Sequence, residues 1–193
     1  MINLDTITAE LDLWHDVIVN GATVDYEDFN LEHLEVASIR DAIVYTALAP
    51  VGYVYTPGDS LNPREFPKEV DADKMSDTLS ALLILLKENV DSQLTHDHLC
   101  ALLAYLFWSL EEYTFARMWL GASFERTTMS KLVEGALRHG LPGHFTLPDS
   151  FFDGFSEALY EDIDEALFGL HPTRGSSAYF DAKEARLQDE AVN

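Results

Sequence analysis

The sequence predicts a mostly α-helical protein, a single-domain helical bundle with a tetratricopeptide-like helical hairpin in its middle. Of the 193 residues, 47% are apolar, which is enough to build one globular core. These residues recur at helical spacing, whereas the valine and isoleucine alternation typical of strands is nearly absent. We expect the helical domain to cover 1–169, with an internal boundary at 50–68, and 170–193 to form a loosely attached acidic tail.

Two helices are predicted before the internal boundary. The first covers 7–20 and ends at Gly21, and the second covers 31–48. The segment from Pro50 to Pro67 then contains four of the seven prolines. Because proline cannot continue a helix, this segment is predicted to be an extended connector.

Five further helical patterns follow the connector. Leu99–Leu110 is apolar on nearly every side, so this helix is predicted to lie at the centre of the core, with Thr95 as its N-cap. The last pattern combines an apolar stripe with a strongly acidic face. The five predicted helices are 71–87, 99–110, 113–126, 128–139 and 148–168.

The charge is strongly negative and unevenly distributed. With 34 acidic and 12 basic residues the net charge is -22, which argues against direct binding of DNA or RNA. The first 60 residues hold 11 acidic side chains and one basic one, and 146–193 hold 11 and three, whereas 111–145 hold four of each. The acidic ends are therefore expected to form the exterior. The predicted interaction surface consists of Asp25, Glu27, Asp28, Glu32, Glu35, Glu157, Glu161, Asp162 and Glu165.

These features favour a non-enzymatic protein that binds a basic protein partner. A narrower version is a nucleic-acid mimic that inhibits a DNA-binding protein by imitating rows of phosphates. The same acidity would also serve solubility alone. Two hypotheses from different classes stay open beside it. One is an enzyme, including a metal-dependent one, whose site is assembled from dispersed histidine and aspartate residues. The other is a structural subunit of a homo-oligomer whose interface is formed by aromatic residues such as Phe151 and Phe152.

The segment from Thr95 to Cys100 is the one local cluster of potential metal ligands. His96 and Cys100 are four residues apart and can share a metal on a helix, whereas His98 points about 200° away from His96. A closed zinc site needs two more ligands, so we favour a helix cap with a buried thiol. His96, Asp97 and His98, or Asp12 with His15, are the catalytic candidates of the enzyme hypothesis. We assign no catalytic residue, metal or cofactor.

The sequence also predicts a cytoplasmic protein without membrane association. The single cysteine excludes an intramolecular disulfide and suits a reducing compartment. The first 16 residues carry acids and no basic patch, which is unlike a signal or transit peptide. The longest apolar run, Ala101–Leu110, is far shorter than the roughly 20 residues that span a bilayer.

The neutral middle of the chain, about residues 99–142, resembles the carboxy-terminal helical part of the actinobacterial domain-of-unknown-function family 4192. That resemblance implies a tetratricopeptide-like hairpin followed by a third helix and a leucine-proline ending. It implies no activity and supplies no catalytic residues, and Thr127-Thr128 stands where the family usually has proline. The matching residues are Trp108, Glu111, Glu112, Ala116, Arg117, Leu120, Leu132, Ala136, Leu137, Gly140, Leu141 and Pro142.

Overall fold

The computed structural model describes residues 4–23, 29–56, 65–88, 92–148 and 151. This part of the chain contains six α-helices and one 3-10 helix, with no β-strand, and an isolated bridge joins Glu69 to Thr146. The mostly α-helical prediction is therefore confirmed. In chain order the elements are α1 (Leu4–Asn20), the 3-10 helix (Leu31–Glu35), α2 (Ala37–Leu48), α3 (Ala72–Glu88), α4 (Gln93–Ser109), α5 (Tyr113–Ala122) and α6 (Thr128–Arg138).

Helix α4 lies at the centre of the core, as predicted from its apolar sequence. Thirteen of its 17 residues are buried, and it packs against α2, α3, α5, α6 and the 3-10 helix. Helix α1 packs against α2 and α3. Among the described residues, no helix has both the length and the apolar character needed to cross a membrane.

The helix predicted at 31–48 is divided in two. Val36 is extended, with φ of -80° and ψ of 119°, and separates the 3-10 helix from α2. The Arg40 guanidinium donates a hydrogen bond to the Leu34 carbonyl across this break, and Leu34 is buried. A continuous α-helix would lose this contact. Apolar spacing does not reveal the contact, so it predicted one helix where the structure has two.

Two predicted helix ends are also wrong. Helix α4 is capped by Ser92, whose hydroxyl oxygen accepts a hydrogen bond from the Thr95 amide at 3.3 Å, so Thr95 is not the N-cap. Helix α5 ends at Ala122 instead of Arg126. Two amides that follow it bind the carboxylate of Asp97 on α4, a distant contact that no local pattern reveals.

The predicted connector is described at 50–56 and 65–67, and these residues lie outside the α-helices. Ala49 lies between the end of α2 and the start of the connector, and its carbonyl accepts a hydrogen bond from the Lys74 ammonium group at 2.7 Å. Burial lowers the pKa of Lys74. One hydrophobic cluster includes residues from both sides of the connector. The division into a domain and a tail stays a prediction.

Helices α4 and α5 are neighbours in the chain and pack against each other, followed by α6. The tetratricopeptide-like character of this hairpin stays a prediction. The predicted helix 148–168 and the tail 170–193 lie outside the described residues, except for Pro148 and Phe151.

The segment after α6 folds back onto the end of α4. The Ser109 carbonyl accepts hydrogen bonds from the amides of His144 and Phe145 at 3.1 and 3.0 Å, and the Trp108 indole donates to the Leu141 carbonyl at 3.1 Å. A Cβ atom on Gly143 would lie 2.5 Å from the carbonyl oxygens of Trp108 and Ser109. Only glycine therefore fits this approach without movement of the backbone.

We expect Gly143→Ala to lower the free energy of unfolding by about 2 kcal/mol, because the new methyl group must displace backbone oxygens. The matched control is Gly135→Ala, inside α6, where a Cβ meets nothing within 4 Å. That change should raise stability by up to about 1 kcal/mol. Denaturant unfolding measures both, and equal effects would contradict the tight approach at Gly143.

Candidate acidic interaction surface

Two of the nine residues of the predicted interaction surface are described. Glu32 and Glu35 are exposed on the 3-10 helix. Because they are three residues apart, the 3-10 geometry places them on the same side of the helix. The other seven lie outside the described residues: Asp25, Glu27, Asp28, Glu157, Glu161, Asp162 and Glu165.

Helix α1 presents a second set of carboxylates, which we call the α1 row. Asp5, Asp12 and Asp16 are exposed, and 3.6 residues per turn places them within a sector of about 40°. Successive positions in the row are about 10 and 6 Å apart along the helix axis. On the opposite face, Trp14 and Ile18 are buried. The predicted interaction surface missed this row, although its spacing of i, i+7 and i+11 is visible in the sequence.

The α1 row carries little compensating charge. Helix α1 contains no lysine or arginine. The Asp16 carboxylate accepts a hydrogen bond from the Asn20 side chain at 2.6 Å, which is a neutral donor. Within the described residues, no ion pair involves Asp5 or Asp12. The row therefore exposes negative charge that no lysine or arginine of the described segments pairs with.

The start of α3 adds further carboxylates beside the end of α1. A Cβ on Gly21 would lie 3.3 Å from the Asp77 carboxylate, so Asp77 is next to the residue that follows α1. Burial raises the pKa of Asp77, and repulsion from Asp73 and Asp71 raises it further. We use "acidic surface" for the α1 row together with Glu32, Glu35, Asp73 and Asp77.

A buried polar pair links the 3-10 helix, which packs against α2 and α4, to a side chain of α1. His33 and Glu10 are 8% and 7% exposed, and His33 Nδ1 lies 3.3 Å from Glu10 Oε2. Burial raises the pKa of Glu10, while His33 and the backbone of Asn30 act in the opposite direction. Because a buried carboxylate is costly without a partner, this pair fixes Glu32 and Glu35 relative to the α1 row.

The cluster in the first turns of α4 is buried. His96, Asp97 and His98 are each less than 9% exposed, and Cys100 is fully buried, which confirms the expected buried thiol. Cys100 Sγ lies 3.8 Å from each of the two ring nitrogens of His96, so it is equally distant from both. Burial and the charge of Asp97 raise the pKa of Cys100. The thiol is therefore protonated at neutral pH and a poor nucleophile.

The Asp97 carboxylate has a structural role. It accepts hydrogen bonds from the backbone amides of Phe124 and Glu125 at 2.7 and 3.0 Å, and His96 Nδ1 lies 3.5 Å away. These bonds end α5 and attach the following turn to α4. Within the part of the chain that is described, no three His, Cys, Asp or Glu residues form a group that could hold a metal.

The remaining catalytic candidates are His98 on α4 and the pair Asp12 and His15 on α1. His98 Nδ1 is buried without a hydrogen-bond partner, and burial and nearby Arg40 lower the pKa of His98. Asp12 belongs to the α1 row, and His15 is half-buried one turn further along α1. The structure thus separates the two groups of candidates that the enzyme hypothesis would use.

We expect Asp97→Ala to destabilise the protein by roughly 3 kcal/mol, because two part-buried backbone amides lose a charged acceptor and the buried Asp97 side chain is truncated. Asp12→Ala is the control, since it removes the same charge from an exposed position of α1 and should stay within about 0.5 kcal/mol. Denaturant unfolding gives both values. An Asp97→Ala variant as stable as the control would show that Asp97 does not hold the turn.

Asp77 should make stability depend on pH. Its raised pKa means that the folded protein holds this proton more tightly than the unfolded chain does. Stability from this group is therefore complete below the ordinary value of 3.8 and falls as pH rises through the raised value. At pH 7, Asp77→Asn should gain on the order of 0.5 kcal/mol after solvent screening, and the gain should shrink toward acidic pH.

Asp12→Asn is the control for this experiment because it removes one charge from an exposed site. Thermal and denaturant unfolding of both variants, measured across the pH range, separate the local repulsion from the effect of net charge. A gain for Asp77→Asn no larger than that of Asp12→Asn would contradict the crowding of carboxylates at the start of α3.

No family model, curated protein or solved structure matches this chain. The resemblance of residues 99–142 to family 4192 therefore stays a prediction. The acidic surface stands on the geometry and charge of its own residues.

Proposed function

We propose that this protein acts by binding a basic protein partner through the acidic surface, without catalysing a reaction. The observation that carries the proposal is the α1 row: three exposed carboxylates share one helix face, and that helix has no lysine or arginine. Asp73 and Asp77 extend the same sign of charge to the start of α3.

Electrostatics explains how such a surface works. Charges separated by less than the Debye length of about 8 to 10 Å act together on an approaching ion. Asp12 and Asp16 are about 6 Å apart along the axis and lie within this length, and Asp5, about 10 Å from Asp12, lies at its limit. A cationic patch on a partner therefore meets Asp12 and Asp16 together, with Asp5 extending the same field. Such a field speeds encounter and orients the partner more than it adds affinity.

The narrower hypothesis of a nucleic-acid mimic makes a stronger demand. A DNA strand carries about one phosphate charge per 3.4 Å along its axis, which is denser than the α1 row alone. A mimic would need the carboxylates of the 3-10 helix and α3 to act with the row. We therefore propose a basic protein as the partner class. A DNA-binding protein is the member of this class that requires the densest arrangement of carboxylates.

The chemistry of the α4 cluster supports a non-catalytic role. Asp97 is occupied by two backbone amides, and the Cys100 thiol is buried and protonated. A net charge of -22 also opposes close approach of two copies, which disfavours the homo-oligomer hypothesis.

The test compares two triple variants with the same change of net charge. One neutralises the α1 row, as Asp5→Asn, Asp12→Asn and Asp16→Asn. The control neutralises three exposed carboxylates outside the acidic surface, as Glu65→Gln, Glu69→Gln and Glu125→Gln. Proteins retained from a native lysate by each immobilised variant and by the wild type are quantified at low and high salt.

We expect the wild type to retain a basic protein that is released as salt rises, since screening weakens contacts between exposed charges. The α1-row variant should retain about tenfold less at low salt, and the control should behave like the wild type. Retention that is insensitive to salt, or equal loss in both variants, would contradict the proposal. The absence of any retained protein would favour a surface that serves solubility alone.

A further inference from the structure

A group of half-buried aromatic side chains meets at the surface beside α2. Tyr45 of α2 stacks on Tyr55, with ring centroids 6.0 Å apart and planes at 12°, and contacts Phe66 edge-on at 6.4 Å. Tyr53 also contacts Phe66 at 5.6 Å, and on α4 Tyr105 contacts Trp108 at 5.5 Å. The aromatic patch consists of Tyr45, Tyr53, Tyr55, Phe66, Tyr105 and Trp108.

The charge of one carboxylate, Asp41, acts on patch tyrosines of both α2 and α4. Asp41 precedes Tyr45 by one helical turn and is half-buried. Burial raises the pKa of Tyr45 and of Tyr105; the charge of Asp41 raises both further, and Tyr45 acts in the same direction on Tyr105. Because α2 also packs against α4, which carries Tyr105, Asp41 belongs to the part of α2 that carries the rings and adjoins α4.

Among the residues that the structure describes, positive charge compensates Asp41 only in part. Burial raises the pKa of this carboxyl, and neighbouring Arg40 only partly opposes that effect. The Arg40 guanidinium donates to the Leu34 carbonyl in the 3-10 helix, so its hydrogen-bonding capacity is partly used there. Within the described residues, no ion pair joins Asp41 to a lysine or arginine.

Exposed apolar residues accompany the aromatic patch. Val51 and Val54 flank Tyr53 in the chain and are 71% and 66% exposed, and Leu141, whose carbonyl binds the Trp108 indole, is 55% exposed. Exposed apolar surface beside aromatic rings is typical of binding sites, and tyrosine, tryptophan and arginine dominate the energetics of protein interfaces.

We propose that the aromatic patch binds an arginine side chain of the basic partner, with the guanidinium stacked on tyrosine rings and paired with Asp41. Charge complementarity selects this occupant, because the patch combines electron-rich ring faces with a carboxylate on a protein of net charge -22. Arginine fits better than lysine, since its planar guanidinium stacks on aromatic rings and forms bidentate hydrogen bonds with a carboxylate. The identity of the occupant rests on the proposed function.

Tryptophan fluorescence reports on this site selectively. Trp14 and Trp119 are 1% and 0% exposed, whereas Trp108 is half-buried at the patch. The probe is a capped peptide of alternating arginine and glycine. One control peptide carries citrulline, which keeps the planar shape without the charge, and a second carries lysine. Titrations are run at low salt and at about 0.5 M salt, where the Debye length falls to about 4 Å.

We expect saturable binding of the arginine peptide that persists at high salt, with the citrulline peptide at least about fivefold weaker. Asp41→Asn and Tyr45→Leu should each weaken binding by about threefold or more, whereas Tyr45→Phe, which keeps the ring, should bind within about twofold of the wild type. Thermal unfolding of each variant checks that the fold is retained, and Asp41→Asn is the mildest of these changes.

The α1-row variant distinguishes this inference from the proposed function. It should bind the arginine peptide as the wild type does at high salt, because screening removes the contribution of the row there. Unchanged binding in both Asp41→Asn and Tyr45→Leu, or equal binding of the arginine, citrulline and lysine peptides, would overturn the arginine site. The proposed function would be contradicted separately, by the lysate experiment.

Discussion

The fold depends on one constraint: a chain with 34 acidic residues needs a central element that carries almost none of them. Helix α4 meets this constraint, because Asp97 is the only acidic residue among its 17. That carboxylate is buried, and the amides of Phe124 and Glu125 satisfy it. The same two bonds end α5 and fix the turn toward α6. The one charge admitted to the centre therefore also organises the helices that pack around it.

Three of the remaining carboxylates raise the free energy of the folded state at neutral pH. Burial raises the pKa of Glu10, Asp41 and Asp77, so the folded protein favours their protonated forms. Their contribution to stability is largest below their ordinary pKa values and is lost as pH rises through the raised ones. Groups with perturbed pKa values cluster at functional sites, and Asp41 lies beside the aromatic patch while Asp77 belongs to the acidic surface, the two surfaces proposed for binding.

The sequence predicted what depends on local spacing, and it missed what depends on distant contacts. The central position of α4 followed from its apolar residues. The end of α5 did not, because Asp97 binds amides 27 and 28 residues away. The aromatic patch joins Tyr45, Phe66 and Tyr105, which no periodic pattern connects. The α1 row is different: its spacing is visible in the sequence, but only the burial of Trp14 and Ile18 shows which face meets water.

Helix α2 connects the two proposed surfaces. It packs against α1, which carries the row, and against α4, and it supplies Asp41 and Tyr45 to the aromatic patch. Attraction by exposed carboxylates acts over a longer range and fades with salt, whereas contact with rings acts only at short range. In the proposed complex, the carboxylates of α1 would attract a basic partner at long range and the rings beside α2 would bind it at short range.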